Sequence, residues 1–340
     1  MKRALISDLN GIFAEIAAKK QLFIPSDDGS GQSKYAPWQE GIALTSKLNT
    51  VRSAKDLFFP QVENLVKFKV SGKKMEIMDC CDSVGQFVIF GVRACDCKSF
   101  DILDSVFLSD PVDTYYQSRR DNGLIITLGC NNPAETCFCG TFGIDASNPA
   151  GDISCWMDDN YLFWRSNTEK GAALTAEISF LQECEEAEIL PIQKKIQDRM
   201  NMMPLHDLDF SGFDGEKMLS FFHSDVWSEL SESCLGCGTC TFVCPTCQCY
   251  DVQDFDNGRE ISRFRCWDSC MYSDFTMMAH GTNRPTQKER FRQRFMHKLI
   301  YYPNNNNGVF GCVGCGRCLQ KCPIHMNIVK VAKKLKEAVK

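Results

Sequence analysis

No run of about 18 apolar residues occurs in this 340-residue sequence, so a membrane-spanning helix is not expected. The opening residues, Met1-Lys2-Arg3-Ala4-Leu5-Ile6-Ser7-Asp8, break their apolar run at once and carry no secretory signal pattern. No G-x-G-x-x-G follows a strand-like run, which removes the usual dinucleotide fingerprint. The stretch Asp28-Gly-Ser-Gly-Gln-Ser-Lys34 lacks the order of a phosphate-binding loop and reads as a flexible turn. A net charge of −5 gives no basic footprint for nucleic acid. Histidine is scarce, at five residues, so imidazole-based metal sites have little to draw on. The first 79 residues contain no cysteine at all.

The remaining 261 positions hold all 21 cysteines of the chain. A long chain without a secretory signal does not need disulfide staples, so this density points to metal or redox chemistry in a reducing, cytoplasmic setting. Cys80, Cys81, Cys95, Cys97, Cys130, Cys137, Cys139 and Cys155 form a loose group, and Cys184 stands alone. Eight more fall from Cys234 to Cys270 and four from Cys312 to Cys322.

Periodicity divides the chain near residue 200. Residues 4–19 have the spacing of an amphipathic helix, and residues 65–70, 87–90 and 124–128 read as strands. Two of those strands run directly into Gly91-Val92-Arg93-Ala94-Cys95 and Gly129-Cys130, which places cysteine-bearing loops at one edge of a sheet. Residues 1–200 therefore read as a mixed α/β domain. Residues 217–232, 287–301 and 324–339 have helical spacing, and no sheet pattern is evident beyond residue 201. The fold class expected is α+β, with an α-helical ferredoxin-like domain over 201–340.

Two motifs carry the strongest chemical signal. Cys234-Leu-Gly-Cys237-Gly-Thr-Cys240-Thr-Phe-Val-Cys244-Pro245 is C-x2-C-x2-C-x3-C-P, and Cys312-Val-Gly-Cys315-Gly-Arg-Cys318-Leu-Gln-Lys-Cys322-Pro323 repeats it. A cubane cluster needs four thiolates. Three cysteines two residues apart wrap three corners, while the cysteine before proline lies too far round and serves the other cluster. One [4Fe–4S] cluster is thus assigned to Cys234, Cys237, Cys240 and Cys322, and a second to Cys312, Cys315, Cys318 and Cys244. Paired C-x2-C zinc sites are the competing reading, but they rarely use three cysteines in tandem followed by Cys-Pro.

Cys95, Cys130, Cys137 and Cys139 make a candidate third site, with Arg93 nearby to favour thiolate. Buried packing thiols are the plainer account of the same residues. Cys247, Cys249, Cys266 and Cys270 read first as packing near the clusters, with a further metal or a redox-active pair as the alternative. Cys80, Cys81, Cys155 and Cys184 read as structural. The basic stretch 288–298 reads as a solvated helix face or a docking surface for an acidic partner. His325, which follows Cys-Pro, reads as a residue at a helix start, with tuning of a cluster by hydrogen bonding as the alternative.

The 67 residues between Cys244 and Cys312 are too many for a compact bacterial ferredoxin. The arrangement resembles the α-helical ferredoxin domains of fumarate reductases and heterodisulfide reductases. Further strings are more specific: Phe23-Ile24-Pro25, the run Phe58-Phe59-Pro60-Gln61-Val62-Glu63, Gly91-Val92-Arg93-Ala94-Cys95-Asp96, Tyr115-Tyr116-Gln117-Ser118-Arg119-Arg120, Cys137-Phe138-Cys139, Cys244-Pro-Thr-Cys247-Gln-Cys249-Tyr250 and Trp267-Asp-Ser-Cys270. Together they resemble the iron–sulfur electron-transfer subunit family shared by anaerobic sulfite reductase and cytosolic sulfhydrogenase, over about residues 20–330. In the sulfhydrogenase, a nickel–iron hydrogenase, the member of this family is the beta subunit. Cys97 is a thiol that this family usually lacks. The resemblance implies an electron relay between a flavin subunit that handles NAD(P)H and a catalytic subunit holding sirohaem or nickel–iron, with no substrate chemistry of its own. A redox enzyme with its own flavin or catalytic cluster in the N-terminal domain is the alternative.

Overall fold

The computed structural model describes residues 1–47, 49–81 and 84–339. The chain divides into two compact units. The first comprises Met1–Phe59 and Cys81–His206, the second Pro60–Cys80 and Asp207–Lys340.

The first unit is built on a sheet of eight strands among the described residues. Their order is Gln182–Glu183, Lys2–Leu5, Tyr161–Ser166, Ile153–Met157, Gly123–Leu128, Phe87–Val92, Gln21–Asp27 and Ser33–Pro37. The four strands from Ile153–Met157 to Gln21–Asp27 run parallel, and the flanking ones pair antiparallel. Phe87–Val92 and Gly123–Leu128 are buried at every position, as parallel strands covered on both faces must be. One face packs Val88, Phe90, Leu124 and Ile126 against Ile12, Phe13 and Ile16 of the helix Leu9–Ala17. On the other, Phe100 and Phe107 of the helix Ala94–Phe107 stack with Phe58, Phe59 and Tyr116. The N-terminal helix is shorter than its periodicity suggests, because residues 2–5 are taken as a strand by Tyr161–Ser166.

Phe87–Val92 and Gly123–Leu128 are parallel neighbours, so the residues that follow them emerge at the same sheet edge. This is the carboxyl edge, where open α/β sheets gather ligands. A bulge at Gly91 shifts the register between Phe90 and Val92. Gly91 sits at φ 79°, with Pro25 3.0 Å from where a Cβ would be, so both its conformation and its space call for glycine. Such bulges re-aim the chain, here immediately before Arg93.

The second unit departs from the all-helical expectation. It contains a four-stranded antiparallel sheet, ordered Tyr250–Asp256, Glu260–Trp267, Val62–Ser71 and Lys74–Asp79. Periodicity places the hairpin over 62–79 within the N-terminal domain, but its first strand pairs with Glu260–Trp267. A buried ion pair fixes that register: Arg265 lies opposite Glu63, Nη2 to Oε2 2.6 Å, with side chains 3% and 5% exposed. The periodic stretch 217–232 is two helices, Met218–Phe222 and Val226–Glu232. Helix Gln287–Met296 continues through a π-helical turn, His297–Tyr301. The last helix, Ile328–Ala338, starts at an Asn327 cap whose side chain accepts from the Lys330 amide. His325 lies in the loop before it, exposed and at φ 53°.

Candidate metal centres

Each tandem motif folds as the same loop. Gly236 and Gly238 in the first, and Gly314 and Gly316 in the second, adopt φ of 65°, 70°, 61° and 76°. The left-handed glycine before the third cysteine then caps a short helix, Thr239–Phe242 or Arg317–Lys321. Alternating left-handed and right-handed residues curl the loop so that its amides face inward, a geometry suited to an anionic guest.

The first motif and the end of the second meet around one cavity. Cys234, Cys237, Cys240 and Cys322 all line it, and its volume is about 30 Å³. Met271, Phe291, Phe295 and Met326 supply apolar wall, and Arg294 supplies the one charge. These four cysteines are the set assigned to one cluster from spacing. Gln287 adds a side-chain amide donor, Nε2 to Cys234 Sγ 3.4 Å. The Gly236 amide points at the same sulfur at 3.5 Å.

Of the second predicted set, Cys244, Cys312 and Cys318 are brought into mutual electrostatic contact. Cys315 is buried on the same loop. Burial pushes the Cys312 thiol up to about 12, and the nearby Lys298 ammonium works against that. Burial likewise raises Cys318, offset by Arg294, which also hydrogen-bonds it. Cys240, at the first cavity, is pushed up to about 11 by burial and feels both Cys318 and Cys244. The two sulfur sets therefore abut.

Two residues that sequence reasoning placed on a solvated face belong to this interior. Arg294 and Lys298 are 3% and 5% exposed. They lie four apart in the helical stretch from Gln287 to Tyr301, so they share a face. Burial opposes the charge of each, but surrounding sulfurs overcome it. Arg294 is held cationic by Cys240, Cys318, Cys247 and Cys244, which span both sets, and Lys298 by Cys244, Cys247 and Cys312. Lys298 Nζ donates to Thr246 Oγ1 at 2.7 Å and to the Gly311 carbonyl at 2.9 Å. Thr246 follows the Cys244-Pro245 end of one motif and Gly311 precedes the other, so this ammonium ties the motifs together. The sequence signal was present in the apolar neighbours Phe291 and Phe295, which mark the buried side of that helix.

The four later cysteines do not form one group. Cys247 shares a thiol hydrogen bond with Cys244, which holds the Cys244 thiol well below its usual range. Cys249 pairs with Cys270 in the same way. Cys266 lies beside Asp251 and Asp268.

In the first unit, Arg93 is 1% exposed and sits just ahead of the helix Ala94–Phe107. Its guanidinium reaches three sulfurs: Nη2 to Cys95 at 3.7 Å, Nη1 to Cys130 at 3.8 Å and Nη2 to Cys137 at 3.9 Å. It also donates to Asn49 Oδ1 at 3.2 Å. Cys139 completes the group. Burial raises its thiol strongly, and Cys95, Cys130 and Cys137 add to the rise. All four candidate third-site cysteines are thus gathered around one buried cation. Cys97 faces elsewhere, toward Asp101 and Arg120, and burial pushes it up to about 12. Cys155 is a core residue of the sheet, fully buried.

Among the described residues, no group of three or more cysteine, histidine or carboxylate side chains closes tightly enough for a single metal ion. Sulfurs that share one zinc at 2.3 Å stand only about 4 Å apart. Four thiols lining one apolar cavity are the donor set that a cubane takes. No helix among the described residues is long and apolar enough to cross a membrane.

The 4Fe-4S dicluster domain family matches residues 233–326. Among characterised proteins, the chain is similar to the sulfhydrogenase 2 beta subunit of Pyrococcus furiosus, 37% identical over 275 residues, covering 80% of each chain. No solved structure matches.

Proposed function

The chain belongs to the iron–sulfur subunit family that includes the sulfhydrogenase beta subunit, and from that membership we propose that it is an electron-transfer subunit of a cytoplasmic oxidoreductase complex. In this reading one [4Fe–4S] cluster is held by Cys234, Cys237, Cys240 and Cys322, and the other by Cys312, Cys315, Cys318 and Cys244. The observation that carries it is the shared cavity, where three cysteines of one motif stand with the last cysteine of the other. That crossed arrangement is what two adjacent cubanes require.

The clusters supply one-electron chemistry. The protein's own residues do the rest. Met271, Phe291, Phe295 and Met326 give the first site an apolar wall, with Cys237 on its exposed side. Amide donors from Gly236 and Gln287 lie against Cys234, and hydrogen bonds to cluster sulfur favour the reduced, more negative state. Arg294, facing both sulfur sets, offsets the negative charge that each set concentrates.

A third cluster at Cys95, Cys130, Cys137 and Cys139 belongs to the same proposal. Its support is the convergence of all four on Arg93. The electrons would come from a flavin subunit that handles NAD(P)H and leave to a catalytic subunit of the nickel–iron hydrogenase or sulfite reductase kind, or run the reverse way.

Iron and acid-labile sulfide per anaerobically purified chain test this directly. About twelve irons supports three clusters, about eight supports the C-terminal pair alone, and zinc without sulfide defeats the reading. Cys237→Ser then impairs one C-terminal cluster and stops NAD(P)H-linked turnover of the complex. Unchanged turnover would remove the relay.

A further inference from the structure

Cys249 and Cys270 belong to neither predicted ligand set, yet they are a pair. Their side chains interact, with the Cys270 thiol and amide both acting on the Cys249 sulfur. The sheet holds them there. Tyr250 is in register with Trp267 on the neighbouring strand, and the Asp268 amide donates to the Cys249 carbonyl at 2.9 Å. Cys249 is thus pinned at a strand start, and Cys270 sits on the turn that leaves the partner strand. Neither is sealed off, since both are partly exposed. Lys298 acts on Cys249, while Arg294 and Cys240 act on Cys270. The pair therefore lies in the field of the same two buried cations that face the cluster cysteines.

Other groups carry less. The bay lined by Asp251, Asp268 and Asp274 is an acidic cluster with no second observation of a ligand. The exposed apolar residues Met75, Ile77 and Phe255 on the outer sheet have nothing to say what covers them.

We propose that Cys249 and Cys270 are a redox-active dithiol, a two-electron store beside the one-electron clusters. The proposal rests on the cluster reading above. In the oxidising direction the Cys249 and Cys270 thiols lose two electrons and two protons and form one S–S bond. The one-electron acceptors would be the [4Fe–4S] clusters that the two cysteine sets would hold, one electron to each, and the protons leave to solvent at the exposed side. Reduction runs the same steps backward. Dithiol and cluster potentials overlap, and contact-range thiols are what disulfide formation needs. The pair would let the chain exchange two electrons at once with a hydride-handling flavin or a sulfur-containing substrate.

The test uses the full chain, purified anaerobically with its iron counted. Samples poised oxidised and reduced with redox dyes are quenched in acid, alkylated and mapped by mass spectrometry. Cys249 and Cys270 are expected to lose alkylation together on oxidation, as one linked pair of peptides, and to regain it on reduction, with iron unchanged. Reductive titration of Cys249→Ser and of Cys270→Ser is expected to take up two fewer electrons per chain at the same iron content. The proposal is overturned if both cysteines stay alkylated at every potential that leaves the clusters intact. It is equally overturned if either variant loses iron, because the cysteine is then a cluster ligand. The wild-type mapping stands even where a serine variant fails to fold. Iron content reports the cluster reading separately: a chain without iron defeats that reading, whatever the thiols do.

Discussion

Replacing Arg93 with glutamine is expected to lower the midpoint potential of the proposed N-terminal cluster by roughly 100 mV. The guanidinium lies 3.7–3.9 Å from three sulfurs, and a separation of about 6 Å between its charge and a group those sulfurs would hold sets the scale. At an effective dielectric of about 20, a unit charge at that distance is worth roughly 3 kcal/mol. For a one-electron couple this is about 120 mV, trimmed by relaxation around the new side chain. The sign follows from charge. Reduction adds an electron, a nearby cation favours the more negative state, and its removal makes reduction harder. Anaerobic redox titration of the full chain, followed by electron paramagnetic resonance, reads the shift. Arg93→Lys retains the charge and is expected to move the potential by less than half as much. It also decides the matter if the glutamine variant no longer retains iron. A potential that is unmoved or raised in the glutamine variant, with iron intact, would refute the electrostatic account. A wild-type chain with only about eight irons would refute the cluster on which it acts.

Three other outcomes follow from the same geometry. Cys322→Ser and Cys234→Ser, from different motifs, are expected to alter the same spectroscopic signal and leave the other cluster's signal intact; perturbation of different clusters would undo the crossed assignment. Lys298→Met removes two charged hydrogen bonds to Thr246 and Gly311, expected to cost about 3 kcal/mol, and to speed loss of the Cys312-side cluster to a chelator; equal release rates would count against the tie. Glu63→Leu strands the buried Arg265, and chemical denaturation is expected to show a loss of about 3–5 kcal/mol. A change under about 1 kcal/mol there would mean that the pair does not fix the hairpin's register.

Much of the candidate site was legible because cluster ligation is written into local spacing. C-x2-C-x2-C-x3-C-P fixes three thiols on one loop and throws the fourth away, and this alone predicts that Cys322 should stand with Cys234, Cys237 and Cys240. The cavity holds that set. The edge position of Cys95 and Cys130 was also legible, since each follows a fully apolar strand. Of the second unit's sheet only the strand at 65–70 was legible. Tyr250–Asp256 is exposed along its whole length, so no face is selected for apolar residues and no period-two pattern arises.

The sequence by itself marked which thiols are candidate cluster ligands, because thiol chemistry and short loops need no distant partner. It also marked the two central strands of the first unit, Phe87–Val92 and Gly123–Leu128, which are buried on both faces and therefore mostly apolar. Only the tertiary structure decided the company those residues keep. Arg93 is a buried centre for four sulfurs drawn from three separate stretches of chain. Arg294 and Lys298 read as surface charge in a run of basic residues, because a cation's burial depends on anions that lie far away in sequence. The allegiance of hairpin 62–79 is of the same kind, since pairing with Glu260–Trp267 spans nearly 200 residues, and strand pairing over such a separation leaves no local mark.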